Sequence, residues 1–148
     1  MGHYGGGGSL ECGAGRMKNV ETRHDADAGV VLFIMRGRVT FEDFLDAGDA
    51  HFGRHATPRA VWDLRRADLS GLDVEDLKRV AARSREAAAS RPDPRTALVV
   101  DSEADMLLAR LFDALSETRD SPVIYEVFFD LESAWAWLGV GNPFPEGR

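Results

Sequence analysis

The chain reads as an α/β domain built on a mostly parallel sheet. Two observations point there. Five short apolar segments alternate with four longer ones whose apolar residues recur every three to four positions. Each longer segment also opens on a Thr, Asp or Ser able to cap a helix. Strands alternating with helices imply parallel strands joined by right-handed crossovers. The predicted order is β-β-α-β-α-β-α-β-α, with a sheet of four or five strands and an antiparallel first strand.

Residues 20–23 form the first strand, half exposed. Asp25, Asp27 and Gly29 belong to a run of turn formers that reverses the chain. Residues 30–35 are continuously apolar, as in a strand covered on both faces, and Gly37 ends it. The short turn makes these two strands antiparallel neighbours. Thr40 caps the first helix, with Asp43 as its partner three residues on. Phe41, Phe44, Leu45, Gly48 and Phe52 make one apolar stripe, and the glycine within it predicts a close approach to the sheet. Residues 55–58 close the helix.

Residues 60–64 are the third strand and 65–72 a loop. Asp73 caps the second helix, Asp76 answers it, and Leu77, Val80, Ala81, Ser84 and Ala88 form the buried stripe. Pro92 and Pro94 stop it. Residues 97–100 are the fourth strand. Ser102 caps the third helix, with Asp105 as box partner, and its stripe is Ala104, Leu107, Leu108, Leu111 and Leu115. Residues 123–129 are the fifth strand. Asp130 caps a last short helix with Leu131, Ala134, Trp135 and Leu138 inward, and Gly139, Gly141 and Pro143 end it.

A length of 148 residues suits one domain, and 44% hydrophobic residues against 29% charged allow a buried core. The formal net charge of -7 repels phosphate backbones, so nucleic acid is not an expected partner. No apolar run approaches the ~20 residues of a membrane helix, so no integral membrane segment is expected. A single cysteine, Cys12, rules out an intrachain disulfide framework and a cysteine zinc cage. Residues 1–16 carry seven glycines and are expected to be a flexible extension. The domain proper then spans 17–139, and 140–148 is a tail. No secretory leader pattern is visible, and a cytoplasmic location is the expectation.

Catalytic signatures are missing from the sequence. There is no Gly-x-Ser-x-Gly elbow, no glycine-rich phosphate loop and no phosphate-loop lysine. The chain is therefore expected not to be an enzyme and to use no cofactor. His51 and His55 share a helix face at i, i+4, with Asp46 and Asp49 on neighbouring turns. The spacing suits a metal, but three convergent ligands are needed and only two align; no metal is expected. Asp63, at the carboxyl end of a buried strand, either caps the following loop or faces a ligand crevice.

Residues 60–72, with a hydrophobic strand ending in Asp63 and a loop leading to Ser70-Gly71, resemble the STAS family of SpoIIAA-like anti-sigma-factor antagonists. Residues 95–101, the Ala109-Arg110 step and residues 127–138 are similar to the SpoIIAA-like branch related to CRAL-TRIO lipid carriers. The resemblance covers about residues 20–139 in element order. It implies a regulatory serine, which falls on Ser70, although Leu69 stands where the family pattern has a second serine. It also implies an apolar ligand. Met106 and Phe112 flank the third helix's stripe, and with Leu107 they are candidate lining for a groove or dimer contact. Arg110 and Asp63 are further candidate contacts.

The function expected is a non-catalytic regulatory or protein-binding module, switched at Ser70 and binding a protein partner or a second copy. The alternative is a carrier of a small apolar or amphipathic ligand. A hydrolytic role for His51 and His55 ranks last.

Overall fold

The computed structural model describes residues 12–17, 19–118 and 120–145. The glycine-rich stretch 1–11, expected to be flexible, lies outside the described residues. The elements are β1 (Cys12–Met17), β2 (Val20–Asp25), β3 (Val30–Arg38), α1 (Phe41–Phe52), β4 (Arg59–Asp68), α2 (Val74–Ala88), β5 (Arg95–Val99), α3 (Glu103–Thr118), β6 (Ile124–Phe128) and α4 (Leu131–Leu138).

All six strands form one sheet in the order β1-β2-β3-β4-β5-β6. β2 pairs antiparallel with β3, and β3 to β6 run parallel. The α/β order read from the sequence holds, with one strand more than the four or five expected. That strand is β1, paired antiparallel to β2 from Cys12↔Asp25 to Met17↔Val20. Residues 12–16 therefore belong to the sheet and not to a loose extension. Their glycines hide the strand, because β1 carries almost no apolar alternation to read.

Three successive crossovers of one hand put α1, α2 and α3 on the same face of the sheet. Alternation along each strand sorts the core into two halves. Val31, Phe33 and Met35 of β3, Leu64 of β4 and Leu98 of β5 meet α1–α3. Val30, Leu32, Ile34, Val61, Ala97 and Val99 meet α4. The expected tail closes that second half: Phe144 is buried with Trp135, their rings 6.2 Å apart.

Helix starts follow the predicted caps. Thr40 with Asp43 and Asp73 with Asp76 form reciprocal capping boxes. Ser102 Oγ accepts from the Asp105 amide at 3.1 Å, and Asp130 Oδ1 from the Ser133 amide at 2.7 Å. Gly139 ends α4 at φ 77°, a left-handed conformation that favours glycine. No described helix is long and apolar enough to cross a membrane.

Candidate functional site

Between the sheet and α1–α3 lies an apolar pocket of about 80 Å³. Phe44, Leu45, Gly48 and Phe52 of α1 form one wall, Leu77, Val80 and Ala87 of α2 a second, and Leu108, Ala109 and Phe112 of α3 a third. Trp62, Leu64 and Leu98 form the floor. Most of the apolar stripe read on α1 is this wall: Phe44, Leu45 and Phe52 are half buried because they face the pocket, Phe41 lies beyond it under Arg79, and Ala47 and His51 are buried outside the pocket lining. Gly48 does not mark a close approach to the sheet. Beyond its own helix, no atom lies within 4 Å of where its Cβ would be. The missing side chain leaves free volume.

Polar groups sit at two places. At the edge, exposed Asp49 accepts from Arg83 Nε at 2.8 Å, and Arg83 Nη1 also donates to Glu86 at 2.7 Å. Those carboxylates, Asp49 first, raise the Arg83 pKa. Deeper in, Arg91 is 7% exposed, and its guanidinium carbon lies 4.7 Å from the Phe52 ring centroid. Its Nε donates to Thr57 O at 2.8 Å, and its Nη2 to Pro58 O at 3.1 Å. Nη2 also reaches Arg95 O at 3.4 Å and Thr96 Oγ1 at 3.3 Å. Every one of these acceptors is neutral, so burial lowers its pKa to about 10. Nη1 takes part in none of these bonds. Burial likewise raises the neighbouring Tyr125 phenol, against a hydrogen bond with Ser84.

The candidate contacts scatter. Phe112 is buried in the pocket wall and meets Tyr125 edge-on, 5.1 Å between centroids. Met106 packs half buried against the core without lining the pocket. Leu107 is 70% exposed, and Arg110 is exposed too. The fully buried residues of α3 are Ala109, Phe112 and Ser116; of the expected stripe Leu108 and Leu115 pack half buried against the core, while Ala104, Leu107 and Leu111 face solvent. Both phases carry apolar residues, so periodicity alone cannot choose between them. What selects the observed phase is the fit of Phe112 on Tyr125.

Asp63 is a buried strut and not a free contact. Its Oδ1 accepts from Arg65 Nε and its Oδ2 from Arg65 Nη2, both at 2.9 Å, and Oδ1 also caps the Arg65 amide at 3.2 Å. Ser70 is exposed in the turn between β4 and α2, its amide donating to Asp68 Oδ1 at 3.0 Å. It precedes the helix cap Asp73 by three residues.

Three histidines converge, where the sequence aligned only two. His24 of β2 joins His51 of α1 and His55 just beyond it, and one ligand atom from each lies within 4.8 Å of the others. Asp49 is engaged by Arg83, and Asp46 is exposed. The amide of His55 donates to His51 O at 3.0 Å, which carries the helical turn on and keeps both rings on one side. Burial, then His24 and His55, then Arg91, push the His51 pKa down to about 3. Burial and His55 lower that of His24, against Asp25. His24 was not legible as a third member because it comes from a different element.

No protein-family model, curated protein or solved structure matches this chain.

Proposed function

We propose that this chain is a non-catalytic domain that binds a small amphipathic ligand in the pocket under α1, α2 and α3. A kinship with the SpoIIAA-like and CRAL-TRIO proteins is part of this reading and rests on the sequence resemblance alone. The observation that carries the reading is the apolar pocket itself, opened by Gly48. Close-packed interiors leave few voids larger than a water, and persistent ones are apolar and take apolar guests. At about 80 Å³, roughly half the ~150 Å³ of a cavity that takes benzene, the space suits a short apolar chain and not an aromatic ring or a whole lipid. Arg91 favours an anionic head on that chain. It is a buried cation that meets no carboxylate among the described residues, and its Nη1 stays free of the bonds that hold the other nitrogens. A carboxylate there would gain a charge-assisted hydrogen bond.

Calorimetric titration with octanoate and with octanol tests this. Octanoate should bind wild type more tightly than octanol. Gly48→Phe should abolish both by filling the pocket, and Arg91→Met should remove the preference for the acid. Equal binding by wild type and Gly48→Phe would reject the reading.

The regulatory reading has one observation of its own. Ser70 is exposed, and the Arg38 guanidinium lies 3.4 Å from where a Cβ on Gly71 would be. A phosphate on Ser70 would add ~1.5–2 negative charges beside that cation, changing the surface a partner meets. Under this reading Ser70→Asp alters partner capture and Ser70→Ala does not. Identical capture by both variants would remove the switch.

A further inference from the structure

The fold brings together His24, His51 and His55 from a strand, a helix and the turn after it. We infer that these three imidazoles form a binding site for a divalent transition ion of borderline softness, zinc foremost, that ties β2 to the C-terminal end of α1.

The geometry is close to what a metal asks for. Ring centroids lie 4.7 Å apart for His24–His51, 4.4 Å for His24–His55 and 4.9 Å for His51–His55. Nitrogens bound tetrahedrally at ~2.0–2.1 Å sit roughly 3.3 Å from each other. The nitrogens here fall within 4.8 Å, so small side-chain rotations bring them in. Imidazole ligands select zinc, copper, nickel and cobalt over calcium and magnesium, which prefer oxygen.

A supporting contact orients the most buried ligand. His51 Nε2 lies 2.8 Å from Thr57 Oγ1, and Thr57 is itself 4% exposed. With Nε2–H donating to that hydroxyl, the lone pair is on Nδ1, ready for a metal. Partners of this kind fix the tautomer of metal-binding histidines. Phe33 and Phe52 hold the same ring edge-on, at 5.9 and 5.0 Å between centroids. His55 is exposed and His24 half buried, so the ion can enter from solvent. Three protein ligands leave a fourth position for water or a small exogenous ligand, as in open zinc sites.

The site is separate from the ligand reading, since none of its three histidines lines the apolar pocket. Its charge environment is mixed, with Asp25 acting on His24 and the Arg91 cation acting on His51.

Titration of the untagged full chain with Co²⁺ is the direct test, followed by competition with Zn²⁺. Wild type should bind one Co²⁺ per chain with the visible absorption of a four- or five-coordinate imidazole site, and Zn²⁺ should bleach it. His24→Ala and His55→Ala, changes at accessible positions, should each weaken binding at least ~10-fold while circular dichroism stays native. Thr57→Val should weaken it ~10- to 100-fold without changing the stoichiometry. Absence of stoichiometric binding by wild type would overturn the site. So would equal affinity in the His24→Ala/His55→Ala double variant.

Discussion

Phe33 and Trp62 stack across two neighbouring parallel strands, with centroids 3.9 Å apart and planes 15° from parallel. They are register partners on β3 and β4, so strand pairing sets the stack. Phe44 of α1 leans on the same indole at 5.3 Å. The indole in the pocket floor is thus held from the sheet by Phe33 and from α1 by Phe44.

Trp62→Ala should cost about 3 kcal/mol by removing that layer, whereas Trp62→Phe keeps much of the stack and should cost under ~1.5 kcal/mol. Denaturant melts of the two variants measure the difference. Trp135 and Trp137 pack with the α4 half of the core, so ligand-induced fluorescence change should vanish in Trp62→Phe alone.

Two residues of α3 separate the predicted phase from the observed one. Phe112→Ala should lose about 3 kcal/mol, since the ring is buried against Tyr125. Leu107→Ala, at a position 70% exposed, should stay within about 0.5 kcal/mol. Comparable losses at both would restore the phase expected from sequence.

Asp63 tests a structural role against a ligand role. Its side chain is 3% exposed and that of its partner Arg65 is 29% exposed. Asp63→Ala should destabilise by roughly 2–3 kcal/mol, less than the ~3–5 kcal/mol of a fully buried broken pair, because Arg65 can still reach water. Octanoate affinity should not change. A native-like melt combined with lost ligand binding would make Asp63 a contact after all.

Asp113 sets a pH dependence. Burial, then Glu117, then Glu126 raise its carboxyl pKa above the ordinary 3.8, against Arg110. The unfolded chain therefore releases this proton first. Its contribution to stability falls as pH rises from about 3.8 to the folded value, and stays reduced above that. Asp113→Asn should be more stable than wild type at neutral pH, by under ~1 kcal/mol after solvent screening, and no more stable near pH 3. Urea melts at both pH values check the sign.

The elements and caps were legible because they are local. Thr40, Asp73, Ser102 and Asp130 each bond an amide three residues on, a pattern that sequence spacing carries. The α2 stripe was legible because Leu77, Val80, Ala81 and Ala88 face one way between polar neighbours. β1 was not, because a strand whose first four residues are Cys, Gly, Ala and Gly has little side-chain pattern and is held by its pairing with β2. The pocket and the histidine cluster were not legible either. Gly48 opens space only because α2 and α3 stand off from it, and His24 meets His51 only because β2 passes under the end of α1.

The most direct measurement is a heteronuclear NMR titration of the full chain with octanoate. Saturable shifts should appear at Phe44, Leu108, Phe112 and the Trp62 indole, with the exposed Leu107 and Leu111 unmoved, and no shifts should appear in Gly48→Phe. Shifts confined to the outer face of α3, or the same shifts in Gly48→Phe, would contradict binding in the pocket.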